Sequence, residues 1–341
     1  MAWAEGVVTT PTLTGMARSP FTLAALAAAA VPGLRVAGVR PLRDEDFDAA
    51  VVSAEDGRDL LVRLPRSRQA DTRIRAELAG LAALTAGARS RLPFSVLTPE
   101  GAATYGPTRA VVTDCPAGAP LERDALGEHP RLGTAVGRAI AEVHRLPSTI
   151  VTDAGLPSAG PEESKRQAAS VVARAEATGL LPAIVQSRWL AALDDTDLWQ
   201  FQPTVIGGLD VESFHIEGEA VATVTGWHGL AIGDPASDLA WLSQDERAAD
   251  AVFGGYAAVM GGGDRRLRGR AAFFAELELA RWLLHGQELR DQGIVDDAVD
   301  MLTTLAERVH GRRTARIEAQ TAPVLTIGEV EDLLEQTRRA V

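Results

Sequence analysis

Apolar residues fall in two different rhythms along this chain. Up to about residue 115 they form short runs bounded by turn residues, which predicts strands over 34–42, 47–54 and 60–64. Asp56-Gly57 supplies the turn between the second and third, and Pro65 ends the third. The stretch "PFSVLTPEGAATYGPTRAVVTD" predicts two or three more strands, the last at "RAVVT". Two helices interrupt this region. One is short and Ala-rich, with Ser19 as N-cap, Pro20 at its first position and Pro32-Gly33 as its stop. The other spans about 69–86, with Ile74, Leu78, Leu81 and Leu84 on one face. Residues 116–120, Pro-Ala-Gly-Ala-Pro, break the pattern. Beyond them a helical period dominates, predicting helices at about 131–146, 161–178, 185–194, 235–243, 246–260, 265–291, 294–309 and 327–340. One hairpin-like pair, 214–216 and 220–225, turns at Glu217-Gly218-Glu219. The expected organisation is α+β: a β-rich N-terminal lobe (1–115), a linker (116–120), a mainly helical lobe (121–310) and a helical extension (311–341).

Composition narrows the function classes. The chain has 341 residues and is 46% apolar, ample for two lobes around a sizeable core. A net charge of −12 argues against a general nucleic-acid binder. Positive charge comes almost wholly from arginine; Lys165 is the single lysine, so lysine chemistry anywhere else is excluded. A lone cysteine, Cys115, rules out an intrachain disulfide and fits a reducing, cytoplasmic setting. It reads as a small buried hydrophobe rather than a reactive thiol. The apolar run after Arg18 resembles the middle of a targeting signal, but its charge comes late and its capping residues describe a helix. No run of apolar residues is long enough to predict a membrane span. His129, His285 and His310 are isolated and show no zinc spacing. Trp189, Trp199, Trp241 and Trp282 sit among leucines at helical spacing and read as core residues, with Trp199 or Trp282 as candidate lining of a substrate site.

Three patches carry a resemblance. They are "DGRDLLVRLPRS" (56–67) with Glu77 in the next helix, "AIAEVHRLP" (139–147), and "VTGWHGLAIGDPASDLAWL" (224–242). Together with the layout, they resemble the aminoglycoside/macrolide phosphotransferase family, which has a protein-kinase-like two-lobe fold. The "VRLPR" run is most similar to the macrolide-kinase branch. The likeness covers about residues 18–310 and leaves 311–341 aside. It implies an ATP- and Mg²⁺-dependent kinase of a small-molecule hydroxyl. Such chemistry rests on positioning and charge neutralisation by a strand cation with its Glu, a catalytic carboxylate and metal ligands. The resemblance places Arg63 and Glu77 at the cation pair. It places Thr113, Asp114 and Cys115 among the nucleotide-binding positions. His144 matches a family histidine and reads as a packed, hydrogen-bonded residue.

The chain departs from that pattern where the chemistry is done. The turn over the phosphates, "RDEDFDAAV" (43–51), has no glycine and carries Asp44, Glu45, Asp46 and Asp48. Side-chain-free backbone approaches phosphate best, so this turn reads as a solvated acidic tip. The family's H-G-D-x-x-x-x-N falls on Gly207, Gly208, Leu209 and Phe214, and its metal-binding Asp falls on Gly226. Leu, Phe and Gly side chains neither take a proton nor bind Mg²⁺. Asp210, one residue late, is the candidate substitute carboxylate, with Glu212, His215 and His228 nearby. Trp227 follows the metal position. Asp234-Pro235 reads as the cap and first turn of a helix, and Asp238 as its tie to the catalytic loop. The expectation is a catalytically impaired, pseudokinase-like member whose interlobe cleft binds a small molecule or a metal-free nucleotide, with no cofactor required. The alternative is an active kinase led by Asp210, using ATP and Mg²⁺. A third reading is a non-enzymatic scaffold. It would offer a protein partner the C-terminal helix, which opens on Thr326 and Glu329 as a capping box and carries Val330, Leu333 and Leu334 as an apolar stripe.

Overall fold

The computed structural model describes residues 18–242 and 245–320, the last nine as backbone alone. The expected helix over 327–340 lies outside the described residues. In chain order the elements begin with α1 (Pro20–Ala30), β1 (Val36–Leu42), β2 (Phe47–Ala54), β3 (Asp59–Pro65), α2 (Arg68–Ala83) and α3 (Ala86–Arg89). Next come β4 (Ser95–Val96), β5 (Pro99–Tyr105), β6 (Thr108–Asp114), β7 (Ala119–Pro120), α4 (Arg123–Glu128), α5 (Pro130–His144) and α6 (Thr149–Asp153). Then follow α7 (Pro161–Ala177), α8 (Ala183–Asp194), β8 (Thr204–Ile206), β9 (Phe214–Glu217), β10 (Ala220–Val224) and β11 (Ala231–Gly233). Last are α9 (Glu246–Met260), α10 (Leu267–Leu289) and α11 (Gln292–Gln320). Among the described residues no helix is long and apolar enough to cross a membrane.

The N-terminal sheet is antiparallel, in the order β1-β2-β3-β6-β5. Its strands are apolar on both faces because a helix covers each. Even-numbered positions, Ala50, Val52, Leu60, Val62, Leu64, Ala110 and Val112, pack with Leu23, Ala24, Ala27 and Val31 at α1. Odd-numbered positions, Phe47, Ala49 and Val111, pack with Ala70 and Ile74 of α2. The period of two along a strand thus decides which helix each side chain meets. Residues expected as one helix over 69–86 divide into two. Leu84 leaves helical geometry with ψ 83°, and Thr85 caps a new turn by accepting from Ala88 N–H. The Arg89 guanidinium donates to the carbonyls of Leu81, Leu84, Val96 and Leu97, so the end of α2 is satisfied without a continuing helix.

Two smaller sheets, β4-β10-β9-β7 and β8 with β11, carry the loops of interest. Around them one large core joins α5, α9 and these strands, with Val136, Ile140, Leu209, Phe214, Val224, Trp227, Leu239 and Val252 all buried. The segment expected as a helix over 235–243 is instead a 3₁₀ turn, Ser237–Leu242. Ser237 N–H bonds to Asp234 O and Leu239 N–H to Ala236 O, so the turn closes on third neighbours. The other helices and the hairpin lie at or near their expected spans; α4, α6, β8 and β11 had no clear periodic signal.

The chain divides into two compact units: one runs to Lys165 and includes Asp197–Ala275, the other holds Arg166–Thr196 and the chain from Glu276 onward. The sheets and loops above belong to the first. In the second, Trp189 is fully buried and donates its indole N–H to Glu276, which Arg188 also grips. Trp282, expected in a core, is instead 37% exposed and donates to Asp297.

Candidate functional site

Arg63 sits at an odd position of β3, so it points toward α2, where Glu77 lies. Its guanidinium makes two bonds to the Glu77 carboxylate, 2.9 and 2.8 Å, and lies 5.6 Å over the Phe47 ring. Both partners are largely buried. α2 seats closely on the turn Trp227–Gly229: a Cβ at Gly80 would come 2.2 Å from the Trp227 carbonyl oxygen, so only glycine fits there. Glu77 is thereby held above Gly226, whose φ of 80° lies in the left-handed region.

A cavity of about 550 Å³ opens below this pair. Arg63, Glu77, Asp210 and Gly226 all line it, with Glu212, Ser213 and the 43–47 turn. Four of the sequence candidates therefore converge. Thr113, Asp114 and Cys115 are not among its lining residues. Thr113 is fully buried and donates to the Asp114 carbonyl, while the Asp114 carboxylate accepts from Thr98 N–H at 2.6 Å. Burial pushes the Asp114 carboxyl and the Cys115 thiol above their ordinary pKa ranges.

The loop at 207–210 is built around Asp238. Its carboxylate accepts from the amides of Gly207, Gly208 and Leu209 at 2.7, 2.9 and 3.1 Å. His144 Nε2 lies 3.2 Å from the same carboxylate, and His144 Nδ1 lies 2.9 Å from the Tyr256 hydroxyl. A carboxylate only accepts, so Nε2 donates and Nδ1 receives the tyrosine proton. Leu209 and Phe214, 3% and 0% exposed, point into the large core rather than the cavity. Asp210 is bound to its own loop: its Oδ1 accepts from Ser213 N–H (3.1 Å) and Ser213 O–H (2.9 Å), a capping box on the turn Val211–Ser213.

The acidic turn is solvated at Arg43 and Glu45, but its other carboxylates are engaged. Asp44 Oδ1 accepts from the amides of Asp46 and Phe47, at 2.9 and 3.0 Å, so those backbone donors already have an acceptor. Asp46 pairs with Arg73, and Asp48, 2% exposed, pairs with Arg66 and Arg18. Asp234 accepts from Ala236 N–H, as its capping role predicts, but it also binds Arg270 at 2.7 Å. Arg270 is completely buried, and Asp264 holds its other face. Nothing in the helical period around Arg270 signalled that pair.

His215 and His228 each have a buried Nδ1 without a hydrogen-bond partner among the described residues. Burial pulls both imidazoles below their usual value, with Arg73 adding to the effect at His228. Each is harder to protonate in the folded chain than in the unfolded one. The stability this contributes is present above about pH 6.5 and lost as pH falls through the lower folded-state value. Melting temperature is expected to drop between about pH 7.5 and 5, and to drop less in a His215→Gln/His228→Gln variant. Equal drops in thermal melts of the two proteins would contradict this.

The solved structures this chain is similar to share its architecture. Macrolide 2'-phosphotransferase MphH from Brachybacterium faecium, an apoenzyme, superposes with TM-score 0.70 at 21% identity, covering 83% of this chain and 98% of that one. The GDP complex of aminoglycoside 2'-phosphotransferase-IIIa gives 0.70 at 17% identity, covering 85% and 99%. The GDP and kanamycin complex of APH(2")-IIIa gives 0.69 at 16%, covering 86% and 99%. At these identities the likeness is one of fold, and it bears out the α+β, kinase-like expectation. No curated protein matches. The family model described as "Phosphotransferase enzyme family" matches residues 38–274, most of the chain. This chain therefore belongs to the APH phosphotransferase family.

Proposed function

We propose that this protein is a family member in which phosphoryl transfer is lost or much reduced, and that its interlobe cavity binds a small molecule. In this reading residues 116–120 are the hinge between the N-terminal and helical lobes. The observation that carries it is Leu209: the residue at the family's catalytic-carboxylate position is 3% exposed and belongs to the hydrophobic core. Loss of a general base alone costs about 10²–10⁴ in rate. Phe214 at the Asn position is equally buried, and Gly226 at the metal position offers no side chain. The residues do not fit the Mg²⁺ that the family uses: among the described residues no three His, Cys, Asp or Glu side chains are grouped to hold a metal ion. Six carboxylates against three arginines line the cavity, which disfavours a bare polyphosphate.

The second reading, an active small-molecule kinase, is favoured by one observation: Asp210 lines the same cavity as Arg63 and Glu77. A thermal shift with ATP, with and without Mg²⁺, separates the two. The expected result is no Mg²⁺-dependent stabilisation, no phosphate release above a protein-free blank, and no change in either on Asp210→Ala. Mg²⁺-dependent stabilisation by ATP together with phosphate release above the blank, both lost in Asp210→Ala, would establish the active reading instead.

A further inference from the structure

A second cavity, of about 660 Å³, lies in the first unit and shares no lining residue with the one above. Its walls come from α9, the start of α10, the glycines at 261–263 and residues 200–204. Phe201, Phe253, Tyr256, Met260 and Leu267 give it an apolar wall, with polar and charged side chains around the remainder. That size and that lining are what small organic ligands occupy, about 300–1,000 Å³ with few polar groups.

The walls are held from behind. The Tyr256 hydroxyl is bonded to buried His144. Arg270, packed 4.7 Å from the Phe201 ring, holds Asp264 and Asp234. The shape therefore needs no ligand to order it.

The rim decides the ligand's charge. Both acidic side chains of the lining are already paired: Asp264 with Arg270 and Asp250 with Arg268, which also lies 4.9 Å over the Phe253 ring. Arg265 is exposed at the rim and, among the described residues, has no ion pair or hydrogen bond. On the wall, Thr204 Oγ1 is buried with no hydrogen-bond partner among the described residues. A guanidinium without an acid beside an aromatic hollow is complementary to an anion carried on an apolar body.

We propose that this cavity is a binding site for a small aromatic or aliphatic carboxylate. Its apolar body lies against Phe201, Phe253 and Met260, and its carboxylate meets Arg265. The site is separate from the proposed interlobe cleft and stands whether or not phosphoryl transfer survives.

Calorimetric titration of the full chain with 2-naphthoate and with its neutral amide, 2-naphthamide, tests this. Naphthoate is expected to saturate a single site, with naphthamide about tenfold weaker. Ala257→Trp puts an indole into the cavity from an exposed position on α9 and is expected to abolish naphthoate binding. Arg265→Glu, on the surface, is expected to weaken naphthoate by about tenfold and leave naphthamide unchanged. Absence of saturable naphthoate binding to the parent would overturn the proposal. So would naphthamide binding as well as naphthoate, or naphthoate affinity unchanged in Arg265→Glu.

Discussion

Asp238→Ala is expected to lower unfolding free energy by about 3–5 kcal/mol, the scale for leaving several buried donors without their charged acceptor. The carboxylate is completely buried and accepts from three backbone amides and from His144. Alanine would leave the three N–H groups of the 207–209 loop without acceptors, at about 1–3 kcal/mol for each buried group. It would also free His144, and with it Tyr256. Asp238→Asn keeps the shape but turns an NH₂ group toward donors, so its loss should be intermediate. Urea denaturation of the three proteins measures this. A loss below about 1 kcal/mol for Asp238→Ala would mean that water or a rearranged loop satisfies those amides.

Putting the family's residues back is expected to destabilise the protein rather than revive it. Phe214→Asn removes a ring that is wholly buried and tilted against Trp241, 6.2 Å between centroids. Large-to-small changes of that kind cost about 3–5 kcal/mol. Leu209→Asp buries an unpaired carboxylate among Val205, Leu230 and their neighbours in the core. Gly226→Asp asks a side-chain-bearing residue to hold φ 80°, at about 1–2 kcal/mol, with its Cβ 3.3 Å from Ser213 Oγ. The triple variant should unfold at far lower denaturant than its parent, with Phe214→Asn alone accounting for a large part. A triple variant as stable as the parent would show that these positions still turn toward the cavity. In that event the proposal of impaired catalysis would lose its main support.

The replacement of carboxylate and amide by Leu209, Phe214 and Gly226 was visible in the sequence, as were the tie from Asp238 to the loop and the pair Arg63–Glu77. Each was legible through the resemblance of the flanking motif residues to the family's. The fate of Asp210 was not visible. One residue of displacement left open whether its carboxylate turned inward, and nothing in the spacing announced the Ser213 bonds that cap its own turn. The acidic turn misled in the same way. Four carboxylates within five residues read as a solvated tip, yet Asp48 is buried between arginines distant in sequence. Trp282 reversed the error, since helical spacing among leucines does not say which side of a helix is covered.

By itself the sequence determined most of the succession of strands and helices and, through its resemblance to the family, the absence of the family's catalytic side chains. The first follows from backbone periodicity, a local property, and the second from the chemistry of the residues at positions that the resemblance marks. Only the tertiary structure decided that Leu209 and Phe214 are core residues, that Asp44 and Asp210 bond to their own turns, and that Arg270 lies buried between two aspartates. A carboxylate or an apolar side chain carries no record of its partner. The packing of distant segments supplies that partner, and with it the difference between a group held in structure and one left free for chemistry.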